Sequence, residues 1–353
     1  MTNNTSHHNS VPRAMYHMTT SEAKGWCATF AIEAVVVAIG NLFIIIVFAK
    51  THELRRKSQH FFLINLAVAD LLVGTFAEPL FVYVLGGYYR LWSFEYPNIF
   101  IFASLFLDMF SGISSIAFLT AIALERLFAT TYPVKYRKTR KLWYALVIVA
   151  LWAVSAVIPI GRLMFGNDYD SLYLWMPFVC ILLLLIGSAY FVIWVKLLFF
   201  GSKRLEHSRE RHLNVTLTIL TLTSLSTWLP FIVLNTVNMF QPVNLMAVYA
   251  TKVLHYGNSL VNPVLFALKM PKFRKAAKKI FCRRRRTGSQ NRNRGDKLLR
   301  DASTKNKSLE LSSSSKSDRR NHNVKSTPVW LNVIVIVFYR MHKHFIVSML
   351  FKN

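Results

Sequence analysis

The chain has 353 residues, of which 53% are hydrophobic and 17% charged, and its mean hydropathy is +0.34. A chain this apolar is not a soluble protein, so we infer a membrane protein. The formal net charge of +27 is concentrated in particular connections and at the C-terminal end. This placement argues against nucleic acid as a partner.

Seven apolar runs are long enough to form membrane-spanning helices, which need about 20 residues at 1.5 Å rise per residue. The runs cover residues 27–49, 59–85, 97–129, 142–161, 172–200, 211–239 and 246–269. Short connections favour antiparallel neighbours within one bundle. The sequence therefore predicts an all-α membrane protein, with a seven-transmembrane helix bundle at 27–270 after an N-terminal segment at 1–26.

Lys and Arg gather in alternate connections, namely 55–57, 135–141 and 203–211, and again after the seventh run. Connections rich in Lys and Arg remain in the cytoplasm. We therefore expect an extracellular N-terminus and a cytoplasmic C-terminus. Asn3 and Asn4 both fit the acceptor pattern for N-glycosylation and lie on the predicted outer side.

Residues 271–282 follow the seventh run and begin with Pro271. Their apolar residues recur at helical spacing with cations between them, which predicts a short amphipathic eighth helix on the inner membrane surface. Cys282 at its end is either a palmitoylation site or a free thiol. Residues 283–353 are expected to form a cytoplasmic basic tail that is mostly disordered, although the apolar stretch at 329–350 has no functional interpretation. Whether Cys27 and Cys180 pair is left open.

Polar residues and prolines inside apolar runs are costly in lipid, so they mark positions that a packed bundle uses. One such motif occurs in each of six runs: Gly40-Asn41, Leu66–Asp70, Glu125-Arg126, Trp152, Trp228-Leu229-Pro230 and Asn258–Pro263. In this order and spacing, the motifs of residues 27–282 resemble those of rhodopsin-like (class A) G-protein-coupled receptors.

Several positions depart from the usual pattern of that family. Ile101 stands where most members have the cysteine of an outer disulfide, and Leu182 where the fifth span usually has proline. Phe266 replaces the tyrosine that follows Asn262-Pro263. A short outer loop, the missing disulfide cysteine and a fifth span without proline are together similar to the melanocortin, cannabinoid, adenosine and lysolipid branch.

Asp70, Asn41, Asn258, Ser259 and Asn262 are polar groups in apolar helices and need partners from neighbouring spans. We expect them to form one cluster at mid-depth. The resemblance implies that this cluster binds a sodium ion as an allosteric ligand, and a static interhelical hydrogen-bond network is the alternative. No other cofactor is expected.

Asp108 and Arg126 lie on one face of the third span, five turns or about 27 Å apart. Arg126 at the cytoplasmic end can pair with Glu125 beside it and with Glu210 across the bundle. Such pairing would hold an inactive state closed, and the alternative is that Arg126 only extends to the membrane surface. Tyr190 matches the inner tyrosine of the family.

Pro230 removes a backbone donor and kinks the sixth span, so Trp228 and Pro230 are expected to form a pivot. The resemblance adds Asn262, Pro263 and Phe266 to these switch residues.

The outer half of the bundle is where the family binds ligands. The predicted ligand-binding residues are Asp108, Phe231, Asn235, Lys252 and Tyr256. A carboxylate beside a phenol suits an ammonium ion, but Lys252 lies one turn from Tyr256 and can neutralise Asp108. The ligand is therefore expected to be cationic, either an amine or a basic peptide, and a lipid or a nucleoside is the alternative.

Other function classes fit the sequence less well. An opsin needs a lysine where Tyr256 stands, a channel or transporter predicts repeats or several pore-lining charges, and no His/Cys/Asp grouping has a catalytic spacing. We expect a plasma-membrane receptor, not an enzyme. The resemblance implies as partners an extracellular small-molecule or peptide ligand, a heterotrimeric G protein, arrestin and receptor kinases.

Overall fold

The structure is a computed structural model that describes residues 18–55, 59–165, 168–199, 208–241 and 243–280. The described residues are helical apart from short connections. The seven long helices are α1 (Thr20–Lys50), α2 (Gln59–Leu72, Val73–Ala77 and Glu78–Tyr88), α3 (Pro97–Thr131), α4 (Lys141–Phe165), α5 (Asp168–Phe199), α6 (Ser208–Phe240) and α7 (Leu245–Lys269). A shorter helix, α8, follows at 271–280. Two short helices, His52–Arg55 and Pro133–Lys138, lie in the connections after α1 and α3.

Local signals in the sequence explain where several helices begin. Thr19 caps α1 by accepting from the Glu22 backbone N–H at 3.2 Å, while the Glu22 carboxylate accepts from the Thr19 N–H at 2.9 Å. This reciprocal capping box starts the helix at Thr20, ahead of the apolar run predicted from residue 27. The Asn244 side chain caps α7 in a similar way, accepting from Met246 N–H at 2.9 Å.

The seven long helices form a closed bundle around α3. Helix α3 packs against α2, α4, α5 and α6, while α1 contacts both α2 and α7, and α7 packs along α6. Among the described residues, α1 to α5 each contain a stretch long and apolar enough to cross a membrane. Helices α6 and α7 are 33 and 25 residues long and complete the bundle.

Large apolar side chains are exposed around the outside of the bundle. Ile39 in α1, Val149 in α4 and Leu184 in α5 are 63%, 67% and 72% exposed. An exposed apolar surface of this extent would be unstable in water and suits contact with lipid chains.

Helix α2 widens at Val73–Ala77, where five residues adopt π-helical geometry directly before Glu78-Pro79. Such an insertion rotates the outer part of a helix relative to its inner part. It brings Gly74 against the α1 backbone, with no room for a side chain. The sequence analysis did not predict this feature.

The connection between α2 and α3 is held by aromatic packing. The Trp92 indole stacks on Tyr83 with ring centroids 6.3 Å apart, and its N–H donates to the Tyr83 carbonyl at 3.1 Å. Phe94 and Phe100 also pack against Tyr83. These contacts order the connection where Ile101 replaces the usual cysteine. Cys27, which is buried, and Cys180, which is exposed, are both free thiols.

The ten described residues of α8 form an amphipathic helix, as predicted for 271–282. Phe273, Ala276 and Ala277 are buried, and Phe273 packs against Phe48 of α1 and Phe266 of α7. The cations from Arg274 to Lys279 lie on the exposed face.

Candidate functional site

A polar cluster lies at the centre of the bundle around Asp70, which is fully buried in α2. Ser115 of α3 and Ser259 of α7 each donate a hydroxyl hydrogen bond to Asp70 Oδ1 at 2.9 Å. The Asn262 side-chain amide donates to Oδ2. Three helices therefore meet on a single carboxylate, and Ser115 joins the residues predicted for this cluster.

Two further asparagines extend the cluster to α1 and α6. The Asn41 amide donates to the carbonyls of Val37 and Ser259, both at 3.0 Å, and Thr227 of α6 donates to Asn258 Oδ1 at 3.4 Å. The side-chain oxygens of Asn41 and Asn262 are buried and accept no hydrogen bond from the described residues. The cluster therefore retains acceptor capacity for water or a cation.

Arg126 lies near the C-terminal end of α3, where it is buried and bonded to its neighbour Glu125. The Nη2–Oε2 distance is 2.7 Å, and the guanidinium Nε donates to the same oxygen at 3.2 Å. The predicted partner Glu210 lies in α6, but its side chain is outside the described residues.

Tyr136, in the short helix after α3, completes this network. Its hydroxyl donates to Glu125 Oε1 at 2.6 Å and accepts from Arg126 Nη2 at 3.1 Å. Burial raises the pKa of the Tyr136 phenol, so the hydroxyl stays protonated and able to donate. Tyr136 was not predicted from the sequence. Its contacts with Glu125 and Arg126 depend on how the connection after α3 folds back, and residue spacing along α3 does not indicate that.

The half of the bundle away from Arg126 contains an ion pair between α3 and α7. Lys252 Nζ lies 2.8 Å from Asp108 Oδ2, with side-chain exposures of 10% and 20%. Three aromatic rings surround the same ammonium, with centroids 4.6 Å (Phe81), 4.8 Å (Tyr256) and 5.4 Å (Phe231) from Nζ. We call Asp108 with these three rings the ammonium cage.

A stack of aromatic side chains connects the ammonium cage to Trp228, two residues before Pro230 within α6. Phe231 stacks on His255 of α7 at 4.3 Å between centroids, and His255 meets Trp228 edge-on at 4.2 Å. Trp228 lies against Gly112 of α3, where a Cβ would be 3.1 Å from the indole. The sequence analysis did not include His255, although its place beside Tyr256 in α7 was a usable signal.

The remaining predicted residues lie apart from these contacts. The Asn235 amide donates to the Phe231 carbonyl of its own helix at 2.9 Å. Tyr190 is buried in α5. Phe266 packs against Phe48 and Phe273, with ring centroids 6.3 and 6.2 Å away. Pro263 packs against Gly40 of α1, where a Cβ would be 2.9 Å from the proline ring.

Some predictions fall outside the described residues. They are the glycosylation sites Asn3 and Asn4, the palmitoylation site Cys282 and the basic tail at 283–353. They stay predictions.

Residues 40–266 match the family model described as "7 transmembrane receptor (rhodopsin family)". The matched range begins in α1, includes α2 to α6 and ends in α7. The chain belongs to the rhodopsin family of seven-transmembrane receptors. The predicted all-α, seven-transmembrane bundle is thereby confirmed.

The curated relatives of this receptor include both peptide and amine receptors. It is 24% identical to somatostatin receptor type 5 of Bos taurus, over 72% of this chain and 75% of that protein. It is 25% identical to galanin receptor 2b of Danio rerio, over 78% of this chain and 82% of that protein. A dopamine D2-like receptor of Drosophila melanogaster is 31% identical, but over 38% of this chain and 14% of that protein.

Membership of this family settles the broad function. The protein is a multi-pass receptor of the plasma membrane, with an extracellular ligand and a G protein as partners. Because its relatives are signalling receptors, the prediction that it is not an enzyme is confirmed.

Proposed function

We propose that this receptor recognises a cationic group of its extracellular ligand in the ammonium cage and passes the signal to a heterotrimeric G protein through α6. The observation that supports it is the pairing of Lys252 with Asp108 inside three aromatic rings. A carboxylate and the faces of aromatic rings are the groups that attract an ammonium or guanidinium ion. In the structure the ammonium group of Lys252 occupies the space between this carboxylate and the rings.

A ligand cation can enter this arrangement in competition with Lys252. Asp108 Oδ1 accepts no hydrogen bond from the described residues, so it can receive a donor from the ligand. Buried ionisable groups within membrane spans are costly and are retained mainly where function uses them. We therefore infer that ligand binding controls the Asp108–Lys252 pair, which also supports the fold.

A basic peptide is the ligand class that the relatives favour over a small amine. The somatostatin and galanin receptors align over more than 70% of this chain, whereas the dopamine D2-like receptor aligns over 38%. A peptide can also place a lysine or arginine in the cage while contacting the outer connections. A lipid or a nucleoside remains the alternative, and neither would require Asp108.

The proposed signal runs from Phe231 through His255 to Trp228 and then to the kink at Pro230 in α6. A small displacement above the kink becomes a larger swing of the cytoplasmic end of α6. The network of Arg126, Glu125 and Tyr136 would open in that state, as would pairing with Glu210, leaving Arg126 available to the G protein. The ligand acts by binding the open state more tightly, which shifts the population toward it.

The Asp70 cluster fits a sodium ion in the closed state. Its available ligands are the Asp70 carboxylate, the Ser115 and Ser259 hydroxyls and the unpartnered oxygen of Asn262, and oxygen ligands suit a hard cation. Bound sodium would neutralise Asp70 and hold α2, α3 and α7 together. Asn258 supports this cluster through Thr227 of α6.

The distribution of Lys and Arg supports an extracellular N-terminus and a cytoplasmic C-terminus. In this orientation Arg126, Tyr136 and α8 face the cytoplasm, where arrestin and receptor kinases would also bind. The ammonium cage faces the outside.

The test is a response panel in cells that express this chain, with cAMP and calcium as readouts. Basic peptides and amines are each paired with a neutral isostere, and a lipid and a nucleoside are included. We expect a cationic member to activate the receptor, and its neutral isostere to lose at least about tenfold in potency, or about 1.4 kcal/mol. Activation by an uncharged lipid or nucleoside, at equal potency in Asp108→Asn, would overturn the proposed ligand class.

A further inference from the structure

Two buried carboxylic acids lie beside the ammonium cage and take no part in the proposed signal. Glu33 of α1 and Glu78 of α2 are both 0% exposed. Their side chains lie close together between α1 and α2, where Phe30 and Phe81, one turn away, are in contact with ring centroids 5.0 Å apart. None of their four oxygens finds an N–H or hydroxyl donor in the described part of the chain.

This contact is fixed by the backbone of three helices. Gly74, one turn before Glu78, packs against the α1 backbone at Ala34 and Ala38. On the other side, a Cβ at Gly257 of α7 would be 3.2 Å from Glu33 Oε1. Glycine at both positions lets α2 and α7 approach α1, so the two carboxyl groups are held together in a closed space.

The charge balance of this space requires a proton. Two ionised carboxylates in contact, buried and without donors, repel each other and lack hydration. A single proton removes one negative charge and supplies the donor for a strong carboxylic acid–carboxylate hydrogen bond. We propose that Glu33 and Glu78 form a proton-binding site that shares one proton near neutral pH.

The surroundings connect this site to the ligand position. The groups that face the pair are Asp108 of α3 and Lys252 and Tyr256 of α7. Lys252 interacts with both Asp108 and Glu78. When the shared proton leaves to the outer water, the pair gains a negative charge and draws Lys252 from Asp108 toward Glu78, so alkaline pH exposes Asp108 to a cationic ligand.

The site can be tested without knowing the ligand, on the full chain purified into lipid nanodiscs. The first readout is the infrared C=O stretch of protonated carboxylic acids, followed by its shift on exchange into heavy water. We expect a protonated-acid band in the wild type near neutral pH that titrates away in alkaline buffer. Glu33→Gln and Glu78→Gln should each lose it, because the glutamine amide donates to the remaining carboxylate in place of the proton.

The second readout is the unfolding temperature as a function of pH. The folded pair holds a proton that exposed glutamates release near pH 4, so the folded state binds more protons and stability falls as pH rises. We expect the unfolding temperature of the wild type to fall by about 2–4 °C per pH unit from about pH 5 up to the pH at which the band disappears, and to fall no further above it. The glutamine variants should have a flatter profile.

Glu95→Gln is the matched control, since Glu95 is an exposed carboxylate in the outer connection. It should keep both the band and the pH slope of the wild type. Absence of the band from the wild type, or a band of undiminished intensity in both glutamine variants, would overturn the proposal. If one glutamine variant does not fold, the other decides, because the buried Asp70 carboxyl is common to all the proteins and its signal cancels in the comparison with the wild type. Because neither readout involves ligand or G protein, this result stands apart from the proposed function.

Discussion

Replacing Gly74 with alanine is expected to lower the free energy of unfolding by about 3 kcal/mol, the upper part of the range for overpacked cores. The added Cβ would lie 2.7 Å from both the Ala34 carbonyl oxygen and the Ala38 nitrogen. Both atoms belong to the backbone of α1, so no side chain can rotate away to make room. Helices α1 and α2 would have to separate. The measurement is thermal unfolding of the purified receptor, together with the amount that reaches the cell surface.

Gly187→Ala is the control for this substitution. Gly187 lies within α5 and a Cβ there meets no atom within 4 Å. Alanine is favoured over glycine in a helix by up to about 1 kcal/mol, so this variant should be at least as stable as the wild type. Equal stability of Gly74→Ala and Gly187→Ala would contradict the close packing of α1 on α2.

Replacing Asp108 with asparagine is expected to cost about 2 kcal/mol of unfolding free energy. The substitution removes the nearest counter-charge of the Lys252 ammonium, whose side chain is 10% exposed. Removing one partner of a fully buried pair costs about 3–5 kcal/mol, and we expect less here because Asp108 is 20% exposed. Chemical or thermal unfolding in the absence of ligand measures the loss.

The double variant Asp108→Asn/Lys252→Met separates the lost ion pair from other effects of the substitutions. With both charges removed, the space between α3 and α7 holds no uncompensated ion, and we expect most of the stability to return. The coupling energy between the two positions should be about 1–2 kcal/mol. Additive losses in the double variant would show that the two side chains do not act as a pair.

The sequence was sufficient to predict the helices because lipid imposes a simple rule on each of them. Every span must pair its backbone polar groups within its own helix and present about 20 apolar residues. Both requirements are visible in a short stretch of sequence. The π-helical segment of α2 could not be read in this way. Five residues at Val73–Ala77 change the helical period too little to detect. Gly74 and Pro79 were the available signals, and neither is specific.

Contacts within one helix were also predictable, and contacts between helices were less so. The neighbouring residues Glu125 and Arg126 form an ion pair at 2.7 Å, as adjacent opposite charges suggest. Lys252 was recognised as a candidate partner of Asp108 because both fall in outer halves of spans. Phe81 and His255 were missed because their contacts depend on helix rotation, which hydrophobic periodicity does not fix when every face is apolar.

The Asp70 cluster was predictable in part. Its members were identified because each is a polar residue in an apolar run. The same criterion applied to Ser115, which donates to Asp70 at 2.9 Å. A serine such as Ser115 is not a specific signal by itself, because a hydroxyl can satisfy itself on its own helix, as Ser114 does with the Phe110 carbonyl at 2.6 Å. Only the three-dimensional structure distinguishes the two serines.

The most direct test of the proposed function is the potency of the activating ligand at Lys252→Met, measured as ligand-stimulated nucleotide exchange on the G protein. If Lys252 occupies the ammonium cage, its removal frees Asp108, and we predict at least about a tenfold gain in potency for a cationic ligand. Lys24→Met is the control, since Lys24 is an exposed cation at the outer end of α1. It should leave potency unchanged. A loss of potency at Lys252→Met would contradict the account, because it would mean that Lys252 binds the ligand and does not compete with it.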